Sequence, residues 1–111
     1  MKKIYLACPY SDPDPEVRER RFRAVNAKAG ELMAKGFLVF SPISHTHPIA
    51  VQCELPKGWE FWAAYDRTFI EWCEEVHVLM LDGWQKSVGV KAEIRIAMEL
   101  KLNKPVFFIE P

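Results

Sequence analysis

Two acidic side chains stand where an acid is costly. The residues after Ser87 read as a helix, and on a wheel of about 100° per residue its polar line is Lys91, Arg95 and Glu99. Its apolar arc holds Ile96, Leu100, Ala97, Val90, Ile94 and Met98, and Glu93 projects into that arc between Leu100 and Ala97. The preceding helix repeats the pattern. Its polar side is Glu60, Arg67, Glu71 and Glu74, while Asp66 lies amid a ring-rich arc, between Cys73 and Trp59. A buried, unpaired carboxylate costs several kcal/mol or is forced neutral. Either each acid is hydrogen-bonded in a structural role, or the two form a carboxylate pair at a pocket floor. Such a pair suits glycosyl transfer: one group attacks an anomeric carbon, the other serves as acid or base.

Other candidates cluster in loops. Gly83-Trp84-Gln85-Lys86-Ser87-Val88-Gly89-Val90 joins a strand end to a helix start. Ser87 as cap, with the small Gly89 beside open backbone N–H groups, offers an anion site or a plain cap. The segment lacks the spacing of a Walker loop or a dinucleotide fingerprint. Asp82 ends the third strand, where it could reach sugar hydroxyls, and Trp84 could stack on a base or plug the sheet. Tyr10, in the loop after the first strand, is a further candidate substrate contact. His45 and His47, two apart, would share one face of an extended segment; a substrate contact or plain turn packing is expected there rather than a metal pair, since no third ligand follows. Arg18 and Arg21 read as a solvated helix face with a phosphate contact as the alternative. His77, mid-strand, reads as a satisfied core histidine. No cysteine has a base partner in sequence.

The elements that must hold these residues alternate. Strands are expected at Lys3–Cys8, Phe37–Phe40, Val76–Leu81 and Lys104–Ile109. Helices are expected at Glu16–Lys35, led by Asp14 or Asp12 and Pro15 and stopped by Gly36, at Gly58–Glu75, and from Ser87 to Leu102. Ile43–Lys57, with its prolines and histidines, reads as a loop. This order predicts one α/β domain spanning residues 1–111: a three-layer, flavodoxin- or Rossmann-like fold with about four parallel strands. Ligands of such sheets bind beyond the carboxyl ends of the strands, at the topological switch point.

Composition narrows the function. Fifteen basic and fifteen acidic side chains in 111 residues leave no net charge, which argues against polymeric nucleic acid or an anionic membrane as partner. No apolar run approaches the roughly 20 residues of a spanning helix. The N-terminus is too short an apolar stretch for a signal peptide, and three scattered cysteines make no disulfide framework, so a reducing cytoplasm is expected. Seven Phe, three Tyr and four Trp are a high share of rings. Those around Trp59, Phe61, Trp62 and Trp72 exceed what one helix face can bury, which points to a homodimer or larger assembly.

In combination, Ile4-Tyr5-Leu6-Ala7, Asp66 and the run from Leu81-Asp82-Gly83-Trp84 through Ser87-Val88-Gly89-Val90 to Glu93 resembles the nucleoside 2-deoxyribosyltransferase superfamily, which includes the 2′-deoxynucleoside 5′-phosphate N-hydrolases. The similarity covers nearly the whole chain, except Ile43–Lys57. It implies that Glu93 is the nucleophile at C1′, that Tyr5 orients it, and that Asp66 lies near the leaving base as a proton donor. It also implies that Ser87 and the Gly89 amide contact a 5′-phosphate or 5′-hydroxyl. The first loop departs from the pattern: Cys8-Pro9-Tyr10-Ser11 stands where many relatives have a Gly-Ser step. The expected activity is cleavage or transfer at the N-glycosidic bond of a nucleoside or nucleotide, without metal or organic cofactor. The alternative is a non-catalytic nucleotide-binding module on the same fold.

Overall fold

The computed structural model of the protein describes residues 1–99 and 101–111. Leu100, which the wheel set beside Glu93, lies outside the described residues. In chain order the elements are β1 (Lys3–Ala7), α1 (Pro15–Ala34), β2 (Leu38–Phe40), α2 (Pro42–Cys53), α3 (Trp59–Trp72), β3 (Glu75–Leu79), a 3₁₀ turn (Trp84–Lys86), α4 (Val88–Ala97) and β4 (Val106–Ile109). The four strands form one parallel sheet in the order β2-β1-β3-β4.

Alternation along the central strands sorts the side chains into two cores. Leu6 and Leu79 face α1, against Val25, Ala29 and Leu32. Tyr5, Ala7, Val76 and Val78 face the opposite layer, against Ile70 and Cys73 at the end of α3 and Val90 and Ala97 of α4. Both faces of the centre are therefore covered, as parallel strands require. Fully burying a residue such as Ile4, Leu6 or Ile70 contributes about 1.5–3 kcal/mol. From β1 the chain crosses to β2 on one side and returns to β3 on the other, so the switch point opens between the carboxyl ends of β1 and β3.

Several element ends are set by local chemistry. The Asp14 side chain accepts the Glu16 amide and Pro15 opens α1, as its sequence promised. Gly36, at φ +97°, follows the helix in a left-handed conformation. Other boundaries differ from expectation: extended backbone at Cys73 ends α3 early, Glu75 becomes the first residue of β3, and α4 stops at Ala97. Glu75 is buried; although burial pushes its carboxyl up, His77 at 2.8 Å and Lys2 at 3.1 Å hold it below the ordinary value. His77 is thus satisfied at Nε2 only, its Nδ1 being buried with no partner among the described residues.

The largest correction is Ile43–Lys57, most of which is helix α2 rather than loop. Pro42 sits at its start, where a missing amide proton has no consequence. Pro48 sits inside and deprives the Ser44 carbonyl of its helical donor. Tertiary burial outweighs that loss, because Thr46, His47 and Ala50 lie on one face and all are buried.

Candidate active site

The loops after β1 and β3, the inner face of α2, the start of α3 and the start of α4 enclose a cavity of about 660 Å³. That is ordinary for a small-molecule site. Glu93 and Asp66 both line it, so the two acids singled out by the wheel face one space. Each is more than nine-tenths buried. Tyr5, wholly buried on β1, donates its hydroxyl to Glu93 Oε2 from beneath. Strand and helix thus meet at this carboxylate, 88 residues apart in sequence.

Electrostatics follow from that burial. Desolvation first, then the neighbouring Asp66 charge, push the Glu93 carboxyl up to about 8, against the lowering effect of the Tyr5 hydroxyl. Desolvation likewise lifts Asp66 to about 7, again opposed by Tyr5. Burial and the Glu93 and Asp66 charges raise the Tyr5 phenol well above its usual range, so it remains a donor. Two facing carboxyls that both resist ionisation share protons near neutrality. The Tyr5 hydroxyl donates to Glu93 and favours the ionised form of either acid.

The mouth is built differently. Ser87 caps α4 by accepting the Val90 amide at 3.2 Å, which leaves its hydroxyl hydrogen free to donate into the cavity. Gly89 also lines the cavity, and a Cβ there would meet Ser87 Oγ and Trp59 only at 3.9 Å. Packing therefore does not demand glycine; its absence of side chain simply leaves the helix start open. Lys57 and Lys86 also line the cavity, and sequence reasoning missed both. Lys86 was legible as the residue before the cap; Lys57 was not, because it belongs to the linker between α2 and α3. Trp59 and Trp62, among the rings expected to serve an assembly, also line the wall, with Trp62 Nε1 bonded to the Pro56 carbonyl at 2.8 Å.

Three candidates are placed elsewhere. Asp82 is exposed and is not part of the cavity wall. Trp84 is half-buried against Phe108 of β4, at 5.3 Å between ring centroids, and is the plug rather than the stacking surface. The two histidines part company because α2 is helical: residues two apart lie about 200° around a helix rather than on one face. His47 turns inward to the cavity, while exposed His45 lies beside Phe40 and Tyr65.

Nor does Arg18 or Arg21 of α1 line the cavity as an anion contact. Arg18 donates to the Asp12 carbonyl. Arg21 grips the carbonyls of Tyr10 at 3.3 Å, Ser11 at 3.1 Å and Asp82 at 3.1 Å, bracing the loop after β1 to the loop after β3. Gly83, at φ +88°, makes that approach possible, since a Cβ would stand 3.1 Å from Arg21 Nη2. Cys8 lines the cavity, but burial and Glu93 push its thiol up, away from nucleophilic use. Among the described residues, no three His, Cys, Asp or Glu side chains gather as a metal site, and no helix is long and apolar enough to cross a membrane.

The family model described as "Domain of unknown function (DUF1937)" matches residues 2–110, so the chain belongs to that family. No curated protein matches the sequence.

Proposed function

We propose that this member of the DUF1937 family cleaves or transfers at the N-glycosidic bond of a nucleoside or nucleoside 5′-monophosphate, with Glu93 as covalent nucleophile. The observation that carries the reading is the buried pair: Glu93, held by the Tyr5 hydroxyl, shares one cavity with Asp66. In the competent form Glu93 is ionised and Asp66 carries the proton. The Glu93 oxygen bonds to C1′ as the C1′–N bond breaks, and Asp66 gives its proton to the departing base. Asp66, now ionised, then takes a proton from water, or from the N–H of a second base, as the water oxygen or that nitrogen bonds to C1′. The ester to Glu93 breaks and both carboxyls return to their starting state, with configuration at C1′ retained.

Lys57, Lys86, the Ser87 hydroxyl and the open start of α4 support a phosphate or 5′-hydroxyl at the mouth. This chemistry calls on neither a metal nor an organic cofactor. Exposure of Phe61 and Trp72 on α3 supports a homodimer or larger assembly. Three free cysteines suit the proposed cytoplasmic setting.

Incubation with a panel of nucleosides and monophosphates, following free base by chromatography, tests the proposal. Release of base that disappears in Glu93→Ala is the expected result. Activity surviving Glu93→Ala overturns the mechanism, and tight binding without any base release points instead to a nucleotide-sensing module.

A further inference from the structure

We propose that Glu19, His47 and Tyr10 form a relay that fixes the Tyr10 hydroxyl oxygen as a hydrogen-bond acceptor toward the cavity, making Tyr10 the residue that selects a ligand with a sugar hydroxyl at that wall. The inference deepens the nucleoside reading of the same site and rests on it.

The relay joins three elements. His47 is buried on α2, its Nε2 lies 3.1 Å from Glu19 Oε1 on α1, and its Nδ1 lies 2.5 Å from the Tyr10 hydroxyl in the loop after β1. Phe22 packs on the imidazole at 4.5 Å between ring centroids, and Tyr10 meets it edge-on at 5.4 Å, so the ring plane is fixed. Glu19 is half-exposed, and its carboxylate can only accept. The imidazole hydrogen therefore sits on Nε2, and in the neutral ring Nδ1 is left with a lone pair. Tyr10 has one hydrogen, and this lone pair takes it. Arg18 donates to the phenol from α1 and takes part of its acceptor capacity, so what Tyr10 still offers the cavity it lines is an oxygen lone pair and no hydrogen. Burial, aided by the Glu19 charge and opposed by Arg18, raises the phenol above its usual value and keeps that hydrogen in place. Neither end of the relay touches Glu93 or Asp66 by hydrogen bond, so it is a recognition device separate from the carboxylate pair.

Two measurements test it. In the ligand-free protein, ¹⁵N NMR of the imidazole is expected to report an unprotonated Nδ1 and a protonated Nε2 in His47. A protonated Nδ1, in a neutral or a charged ring, overturns the relay. Then binding of nucleoside 5′-monophosphates is compared in matched pairs that differ by one sugar hydroxyl. For one such pair the wild type is expected to prefer the hydroxyl form by about three- to tenfold, the range of one neutral hydrogen bond. Tyr10→Phe, which keeps the ring and its packing, is expected to erase that preference. Glu19→Ala, at a half-exposed position, is expected to weaken the preference and shift the tautomer balance together. Full preference persisting in Tyr10→Phe overturns the assignment. If no panel nucleotide binds the wild type, the nucleoside reading falls, and the tautomer measurement still decides the relay.

Discussion

Replacing Glu93 by Gln should change not only stability but how stability depends on pH. Both carboxyls stay protonated in the folded chain at pH values where the unfolded chain has released its protons. The native state then binds more protons, so stability falls as pH rises from the unfolded values near 4 toward the folded ones. For Glu93, a rise from 4.5 to about 8 corresponds to about 5 kcal/mol at 1.36 kcal/mol per pH unit. Asp66 adds a smaller amount from its rise to about 7. Relaxation and water entry reduce these upper figures, so the wild type should lose about 3–5 kcal/mol between pH 5 and 8. Glu93→Gln removes one of the two titrating groups and leaves Asp66 raised by burial, so it should lose about half as much. Urea unfolding of the wild type, Glu93→Gln and Asp66→Asn at pH 5, 6, 7 and 8 measures this directly. Parallel stability curves for all three would refute the claim that two buried carboxyls share protons in one cavity.

Three further expectations follow from named contacts. Asp66→Asn should slow base release by about 10²–10⁴ for ordinary nucleosides but much less for an N7-methylated purine nucleoside, whose base leaves without protonation; equal loss on both substrates in a steady-state assay would remove Asp66 from the acid role. Tyr5→Phe withdraws the hydroxyl that favours the ionised form of both Glu93 and Asp66, so both limbs of the kcat/KM–pH profile should move to higher pH; limbs that stay in place would remove Tyr5 from control of the pair. Gly83→Ala places a side chain at φ +88° and 3.1 Å from Arg21 Nη2, and should lower stability by about 1–2 kcal/mol in denaturant titration; an unchanged midpoint would mean that the loop brace is not rigid.

How much of this was legible in the chain depends on the range of the forces involved. Glu93 and Asp66 stood out because helical periodicity is a local signal and an acid breaks it visibly. The Asp14–Pro15 and Ser87 helix starts were legible for the same reason: a cap acts within three residues. Helix α2 was not, since two prolines outweighed its pattern on paper, while burial of Thr46, His47 and Ala50 against the rest of the molecule outweighed them in the fold. Asp82 and Trp84 were misplaced because proximity along the chain was taken for proximity in space. The left-handed turn at Gly83 and the Arg21 grip on the Asp82 carbonyl anchor residue 82 outside the cavity wall, and β4 offers Trp84 the face of Phe108. The pairing of His47 with Glu19, 28 residues away, left no local trace.

The Arg21 brace bears on how this pocket can diversify. Its guanidinium holds main-chain oxygens of residues 10, 11 and 82 and ignores what side chains those residues carry. Substitution at Tyr10, Ser11 or Asp82 therefore leaves the two rims anchored to each other, and the entropy of ordering them is spent in folding rather than at each encounter with a ligand. Ligand preference can drift at Tyr10 and Ser11, which line the cavity, on an unchanged frame, whereas Arg21 and Gly83 have no such latitude. The fold separates what recognises from what holds the recognising groups in place, and evolution or a protein engineer can vary the first without rebuilding the second.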